Sequence, residues 1–300
     1  MLAGSMFGLR PRWLVVFGGL SIACGARTGF DVSQAFTQTG SGGNATGGNA
    51  TGGNATGGNA TGGAAGCPGT AGPSMVLLPE GYCIDSTEVT RAQYQAWLDT
   101  NPSTAKQISR CSGNGTYVPG AECMAEAQWC EPECDNHPQV CVDWCDAQAY
   151  CKAAGKRLCG KIGGGSNDVY NNYAWADFHL SQWFNACSSH GTNGSAYPYG
   201  LTYQPGTCRG YDSDSKGLFK TVPVGSLTGC QSSVPGYSGV FDLMGNVAEF
   251  EDACDEREPG PCSMVRGSQG PVDPSSYVCN VLQGGPPDTL GWSVGFRCCS

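Results

Sequence analysis

Cysteine is the residue with the most chemistry to offer here, with 19 in 300 residues against only three histidines. Such a density suits either metal clusters or disulfides, and a reducing cytosol tolerates it only in the first case. The spacings Cys130-x3-Cys134 and Cys141-x3-Cys145 suggest zinc, but no C-x2-C pair recurs at finger spacing and co-ligands are few. Disulfides in an oxidising compartment are the better reading. Other reactive types are scattered. His137, His179 and His190 fall in no metal-binding spacing and read as surface or packing residues. "GKIGGGSND" (160–168) has the glycines of a phosphate loop without its Lys-Ser/Thr, so it reads as a plain loop. No nucleophile elbow is present. Oxygen chemistry is left. In "GVFDLMGNVAEFEDAC" (239–254) an apolar run breaks at Gly245-Asn246, and Asp242 and Glu249 put carboxylates on either side of the break.

Something must position these groups. Net charge is −9, so no basic surplus exists to grip a phosphate backbone and nucleic acid is excluded as a partner. Arg10 and Arg12 precede "WLVVFGGLSIAC", an apolar stretch too short to span a bilayer and suited to a secretory signal over residues 1–23. "SIAC" resembles a bacterial lipobox, with Ser21 where Leu is usual, so Cys24 is expected to carry lipid and anchor the chain to a membrane. Eighteen cysteines then remain, an even number for pairing. From Gly42 to Thr61 the pentapeptide "GGNAT" repeats four times. It has no apolar face to bury, so residues 24–73 read as a flexible tether, with a mean reach of about 40 Å.

The remainder, 74–300, reads as one head. "MVLL" (75–78) and "YCI" (82–84) are expected strands. Thr90 is an N-cap for "RAQYQAWLD", whose Tyr94, Trp97 and Leu98 share a face. "VCV" (140–142) is expected to be a strand running into Asp143, the N-cap of "WCDAQAYCKAAG", with Gly155 as its stop. A third helix fits "LSQWFNAC" (180–187). Few helices, short apolar runs such as "MVRG", "YVCNVL" and "VGFRCC", and Gly in 47 of 300 positions make an α+β pattern with much irregular backbone. Cys208–Cys230 and Cys254–Cys262 are pairings suggested by spacing alone.

Six ordered segments carry a family resemblance: "IDSTEVTRAQYQAWL" (84–98), "HPQVCVDWCDAQAYCKAAGKRLC" (137–159), "YPYG" (197–200), "TVPVGS" (221–226), "GVFDLMGNVAEF" (239–250) and "VGFRC" (294–298). Together they resemble the formylglycine-generating enzyme family, the sulfatase-modifying factor domains. The resemblance implies a C-type-lectin-like variant fold with little regular secondary structure. It also implies a structural calcium ion held by the Asp242 and Glu249 carboxylates and the Gly245 and Val247 carbonyls. Calcium takes six to eight oxygens, and Gly245 would let the backbone curl to aim them. The alternative is a β-bulge with two solvated acids. Pairs Cys151–Cys298 and Cys187–Cys279 are likewise implied.

The family's oxidase chemistry uses two cysteines that bind monovalent copper, a soft-ligand site. They lie five residues apart, just after an "RGGS" turn. The matching stretch here, "VRGSQGPVDPSSYVCN" (265–280), has no thiol before Cys279, so the copper ligands are missing. Ala248 and Phe250 stand where Trp is typical. The histidine set of the family's iron-dependent branch is missing too. No catalytic residue is assigned. The expectation is a monomeric, calcium-bound, lipid-tethered module in the bacterial cell envelope, or secreted, that binds an unidentified protein or small molecule. The alternative is a formylglycine-generating oxidase acting on a sulfatase cysteine, or another oxidase reaction in the same pocket, through displaced thiols. Cys299, next to Cys298, would be the stray thiol.

Overall fold

The computed structural model describes residues 66–69, 71–127, 130, 133–168, 176–192, 194, 196–210, 220–254, 263–266, 278–280, 282–285 and 290–300. The segments read as a signal peptide, lipidated Cys24 and most of the tether lie outside them. Residues 67–69 and 71–73, read as the end of the tether, pack onto the head. Cys67 is bonded to Cys83, and the Pro73 carbonyl accepts from Lys156 Nζ at 2.8 Å.

The three helices expected from the sequence form, two of them at the caps that it places. Helix α1 (Arg91–Leu98) starts at Thr90, whose Oγ1 accepts from the Gln93 amide while the Gln93 side chain accepts from the Thr90 amide. This reciprocal pair satisfies two of the free donors at a helix start. Tyr94 is its fully buried residue, stacked on Tyr150 with ring centroids 5.6 Å apart. A short helix α2 (Ala121–Glu126) follows, which no sequence signal marked. Helix α3 (Trp144–Ala153) repeats the cap with Asp143 and Asp146, and Gly155 ends it at φ +72°. Helix α4 (Gln182–Ser188) is capped by Ser181, and all seven of its residues are buried. It is the inner wall of one core half. That half gathers Tyr82, Ile84, Trp183, Phe184, Leu243 and Met244; a second half gathers Tyr94, Trp144, Tyr150, Phe250 and Phe296.

The expected strand at 140–142 is not one. Cys141 sits at φ +61°, its amide donates to the Gly291 carbonyl, and its own carbonyl accepts from Gly120. A bond to Cys123 holds that turn. Backbone and disulfide together override the β-branched residues, whose preference is a weak guide.

Among the described residues the strands are short and make three sheets. β1 (Met75–Leu77) and β2 (Cys83–Asp85) pair antiparallel, followed across the sheet by β10 (Cys298–Cys299) and β3 (Arg157–Leu158). β4 (Asn167–Asp168) and β6 (Ala253–Cys254) form a parallel pair. The third sheet runs β8 (Leu282–Gly285), β7 (Ser263–Arg266), β5 (Ala248–Glu251) and β9 (Val294–Phe296), with β5 and β9 parallel. β9 and β10 are therefore one extended segment that leaves the third sheet and enters the first. Arg297 is the single residue between them.

Asp146 in the α3 cap also gives the fold a pH dependence. It is 3 % exposed, and burial, with the Asp143 charge beside it, pushes its pKa up to about 7; the Asn114 amide, 2.7 Å away, pulls the other way. The folded chain thus holds a proton that an unfolded Asp loses near pH 3.9. The stability attached to this proton is present below that value and is lost as pH rises through about 7. Melting temperature is expected to fall between about pH 5 and pH 7.5. Asp146→Asn removes the titrating group and is expected to flatten the curve, while giving up one of the two N–H bonds that the carboxylate oxygens accept from Asn114 and Asp143. A melting profile with the same slope in wild type and variant would refute the assignment.

Candidate functional site

Residues 239–247 form a loop that enters β5, and neighbours on every side dictate its path. The Phe241 amide donates to Ser86, Asp242 to Cys230, and Asn246 to Arg209. Asp242 (φ +57°), Gly245 (+80°) and Asn246 (+56°) are left-handed, a conformation open to Asp and Asn and easy for Gly. The glycine has a second reason. A Cβ at 245 would sit 2.1 Å from the Arg209 carbonyl oxygen, so only glycine lets the two backbones pass. The Asn246 side chain grips Val222 through both its oxygen and its nitrogen.

The sequence-predicted carboxylates stand in different surroundings. Glu249 lies on β5, opposite Gly295 of β9, and is 1 % exposed. Arg297 meets it with two bonds: Nε donates to Oε2 at 2.7 Å and Nη2 to Oε1 at 2.6 Å. Trp183 Nε1 adds a third, to Oε2 at 2.8 Å. Such a two-pronged pair is the strong geometry for a guanidinium and a carboxylate. Burial disfavours the Arg297 charge, but Glu249, Glu88 and Asp242 together outweigh it and hold the guanidinium above its usual range. Arg297 also donates to the carbonyls of Asp85 on β2 and Phe241 in the loop. One side chain ties the first sheet, the third sheet and the loop together.

Asp242 is less well provided for. Its Oδ2 accepts from the Gly225 amide at 2.6 Å, while its Oδ1 is buried without a hydrogen-bond partner. Burial pushes its pKa up to about 6, with Glu249 adding to the shift and the Gly225 bond and Arg297 opposing it. Beside it stands Glu88, fully buried, with neither carboxylate oxygen bonded. Burial, then the charges of Asp242 and Glu249, hold the Glu88 pKa well above the carboxylate range. The cluster is thus three carboxylates around one guanidinium. Its donors are all oxygen, and the bare atoms are buried acceptors, which suits a hard cation such as calcium. Among the described residues no group of three His, Cys, Asp or Glu is placed to hold a metal, so backbone carbonyls such as those of Gly245 and Val247 would have to complete a set.

Every cysteine among the described residues is in a disulfide. Cys151 is bonded to Cys298, Cys187 to Cys279 and Cys208 to Cys230. Cys254 is bonded as well, while Cys262, proposed as its partner, lies outside the described residues. Cys299 is not the stray thiol it was read as. It does face away from the Cys298 partner, as alternation on a strand requires, but Cys159 takes it. The spacings that suggested zinc belong to a bridge between Cys130 and Cys134 and to two others, Cys123–Cys141 and Cys111–Cys145. Residues 267–277, where the copper cysteines would stand, lie outside the described residues.

The histidines serve contacts. His137 is buried with Nδ1 2.7 Å from Thr221 Oγ1, and His190 Nδ1 lies 2.9 Å from Glu80 Oε1. His179 lies against His190, with ring centroids 4.9 Å apart. Sequence reasoning gave no role to Arg297 or Glu88. The available signal was an arginine set between Phe296 and Cys298 in an apolar segment, a place where a charge survives only if paired.

A family model, that of the sulfatase-modifying factor enzyme 1-like domain, matches residues 43–300. Similar solved structures include CarF, 20% identical with a TM-score of 0.46, the match covering 73% of this chain and 85% of that one. PvdO from Pseudomonas aeruginosa is 20% identical with a TM-score of 0.45, covering 73% and 79%. Treponema denticola variable protein 1 is 21% identical with a TM-score of 0.43, covering 73% and 84%. With the disulfide-stapled mixture of short helices and short sheets, the match over most of its length places this chain in the family of sulfatase-modifying factor enzyme 1-like domains.

Proposed function

We propose that this domain is a binding module on the formylglycine-generating-enzyme scaffold, displayed outside the cytoplasm, and that it does not perform the family's copper-dependent oxidation. The observation that carries this reading is the state of its thiols. All described cysteines are in disulfides, and the sequence between Arg266 and Cys279 contains none. Copper needs two thiolates held close together; an oxidised sulfur is no substitute. The disulfides fit an oxidising compartment. A lipid on Cys24 and the repeat tether would hold the head, a monomer, at the surface of a bacterial envelope, within reach of a protein or small-molecule ligand. A depression of about 350 Å³ lined by Trp97, Tyr117, Lys106 and Lys152 offers an aromatic and basic surface. Calcium in the 242–249 loop would be structural, with Asp242 and the loop carbonyls among its ligands.

The test is direct. Denatured, unreduced protein should show no more than one free thiol, that of Cys24 where lipid is missing. Copper-loaded protein given oxygen and a sulfatase-motif peptide should yield no aldehyde by mass spectrometry. Catalytic turnover would overturn the reading and establish an oxidase.

A further inference from the structure

Glu88 sits between β2 and α1, is 0 % exposed, and has no donor at either oxygen. Asp242, 1 % exposed, leaves Oδ1 bare, and among neighbouring charges Asp242 acts most strongly on Glu88. The nearby cation, Arg297, offsets both charges only at a distance, because its bonds to a carboxylate go to Glu249. Two buried carboxylates that act on each other through charge, with three of their four oxygens lacking a donor, require a compensating cation or must give up charge.

We propose that Glu88 and Asp242 are the anionic half of a calcium site, with Glu88 supplying the second carboxylate in place of Glu249. The proposal rests on the calcium reading above and changes its membership. Three features favour it. The bare atoms are hard oxygens with a combined charge of −2 when ionised, matching a dication. Calcium accepts irregular sets that include backbone carbonyls, whereas magnesium keeps several waters, for which a fully buried carboxylate leaves little room. Glu249 already has its charge compensated, with two donors on Oε2, and a guanidinium 2.6 Å from Oε1 repels a second cation there.

The experiment uses the full chain, stripped by chelator and dialysed, with calcium titrated by calorimetry and melting recorded with and without the ion. Wild type is expected to bind one calcium per chain and to melt higher with it. Glu88→Gln removes a buried charge, so the calcium-free variant should melt at or above wild type, yet its calcium affinity should fall about tenfold or more, the order expected on losing a charged ligand. Asp242→Asn should lose affinity in the same way. Undiminished affinity in Glu88→Gln would overturn the role of Glu88 while leaving the calcium reading intact. Absence of calcium binding by wild type would overturn both, and the pair would then hold a proton instead. Should Glu88→Gln fail to fold, Glu88→Asp, which keeps the charge and retracts it by one methylene, decides the same question: undiminished affinity again overturns the proposal.

Discussion

Arg297→Met is expected to cost more stability than any other single side-chain replacement in the head. The methionine fills much of the volume but removes the donors that reach Glu249, the Asp85 carbonyl and the Phe241 carbonyl. Glu249 is left 1 % exposed with Trp183 as its remaining donor, alongside buried Glu88 and Asp242. Removing one member of a buried ion pair costs about 3–5 kcal/mol, because the other charge stays buried and unpaired. That is a large part of the roughly 5–15 kcal/mol that holds a domain together. Unfolding in denaturant should show the loss, and adding Glu249→Gln to Arg297→Met should recover part of it. A single-variant cost under about 1 kcal/mol would contradict the central place given to the guanidinium.

The second large effect is cooperative. Cys151–Cys298 and Cys159–Cys299 span 147 and 140 residues, yet they fasten neighbouring residues of one strand to α3 and to the chain just past β3. With either bridge present, the other closes only a small ring of about nine residues. On the chain-entropy account, losing one bridge costs about 2–3 kcal/mol, while losing both costs about 7–8 kcal/mol, since the long loop then opens. Denaturant unfolding of the two cysteine-pair deletions and of the quadruple Cys→Ser variant measures this. If the quadruple cost merely equals the sum of the pair costs, the bridges do not share a loop constraint.

What was legible in the sequence was local. Thr90 and Asp143 announce helices because a cap and its first turn lie within a few residues. Gly155 marks a stop for the same reason. The α+β class and the family followed from short segments in order. What escaped was set by distant chain. Cys141 has the neighbours of a strand residue, but its backbone is turned by Gly120 and Gly291. Gly245 was read as a means of aiming carbonyls, and its tightest constraint is the Arg209 backbone, which nothing in its own segment reveals. Cys299 was placed on the correct face, yet its partner lies 140 residues away. Glu88 looks like an ordinary polar residue after a strand until burial strips it of water.

The passage of residues 294–299 from the third sheet into the first has a consequence for biosynthesis. Synthesis runs from the N-terminus, so this segment is made after every other strand it joins. Until it emerges, β2 and β3 lack the strand that lies between them, β5 lacks its parallel neighbour, and Glu249 lacks its counter-ion. Two of the long crosslinks lack one sulfur. Neither of the two larger sheets of the head can therefore be completed until this segment has been made.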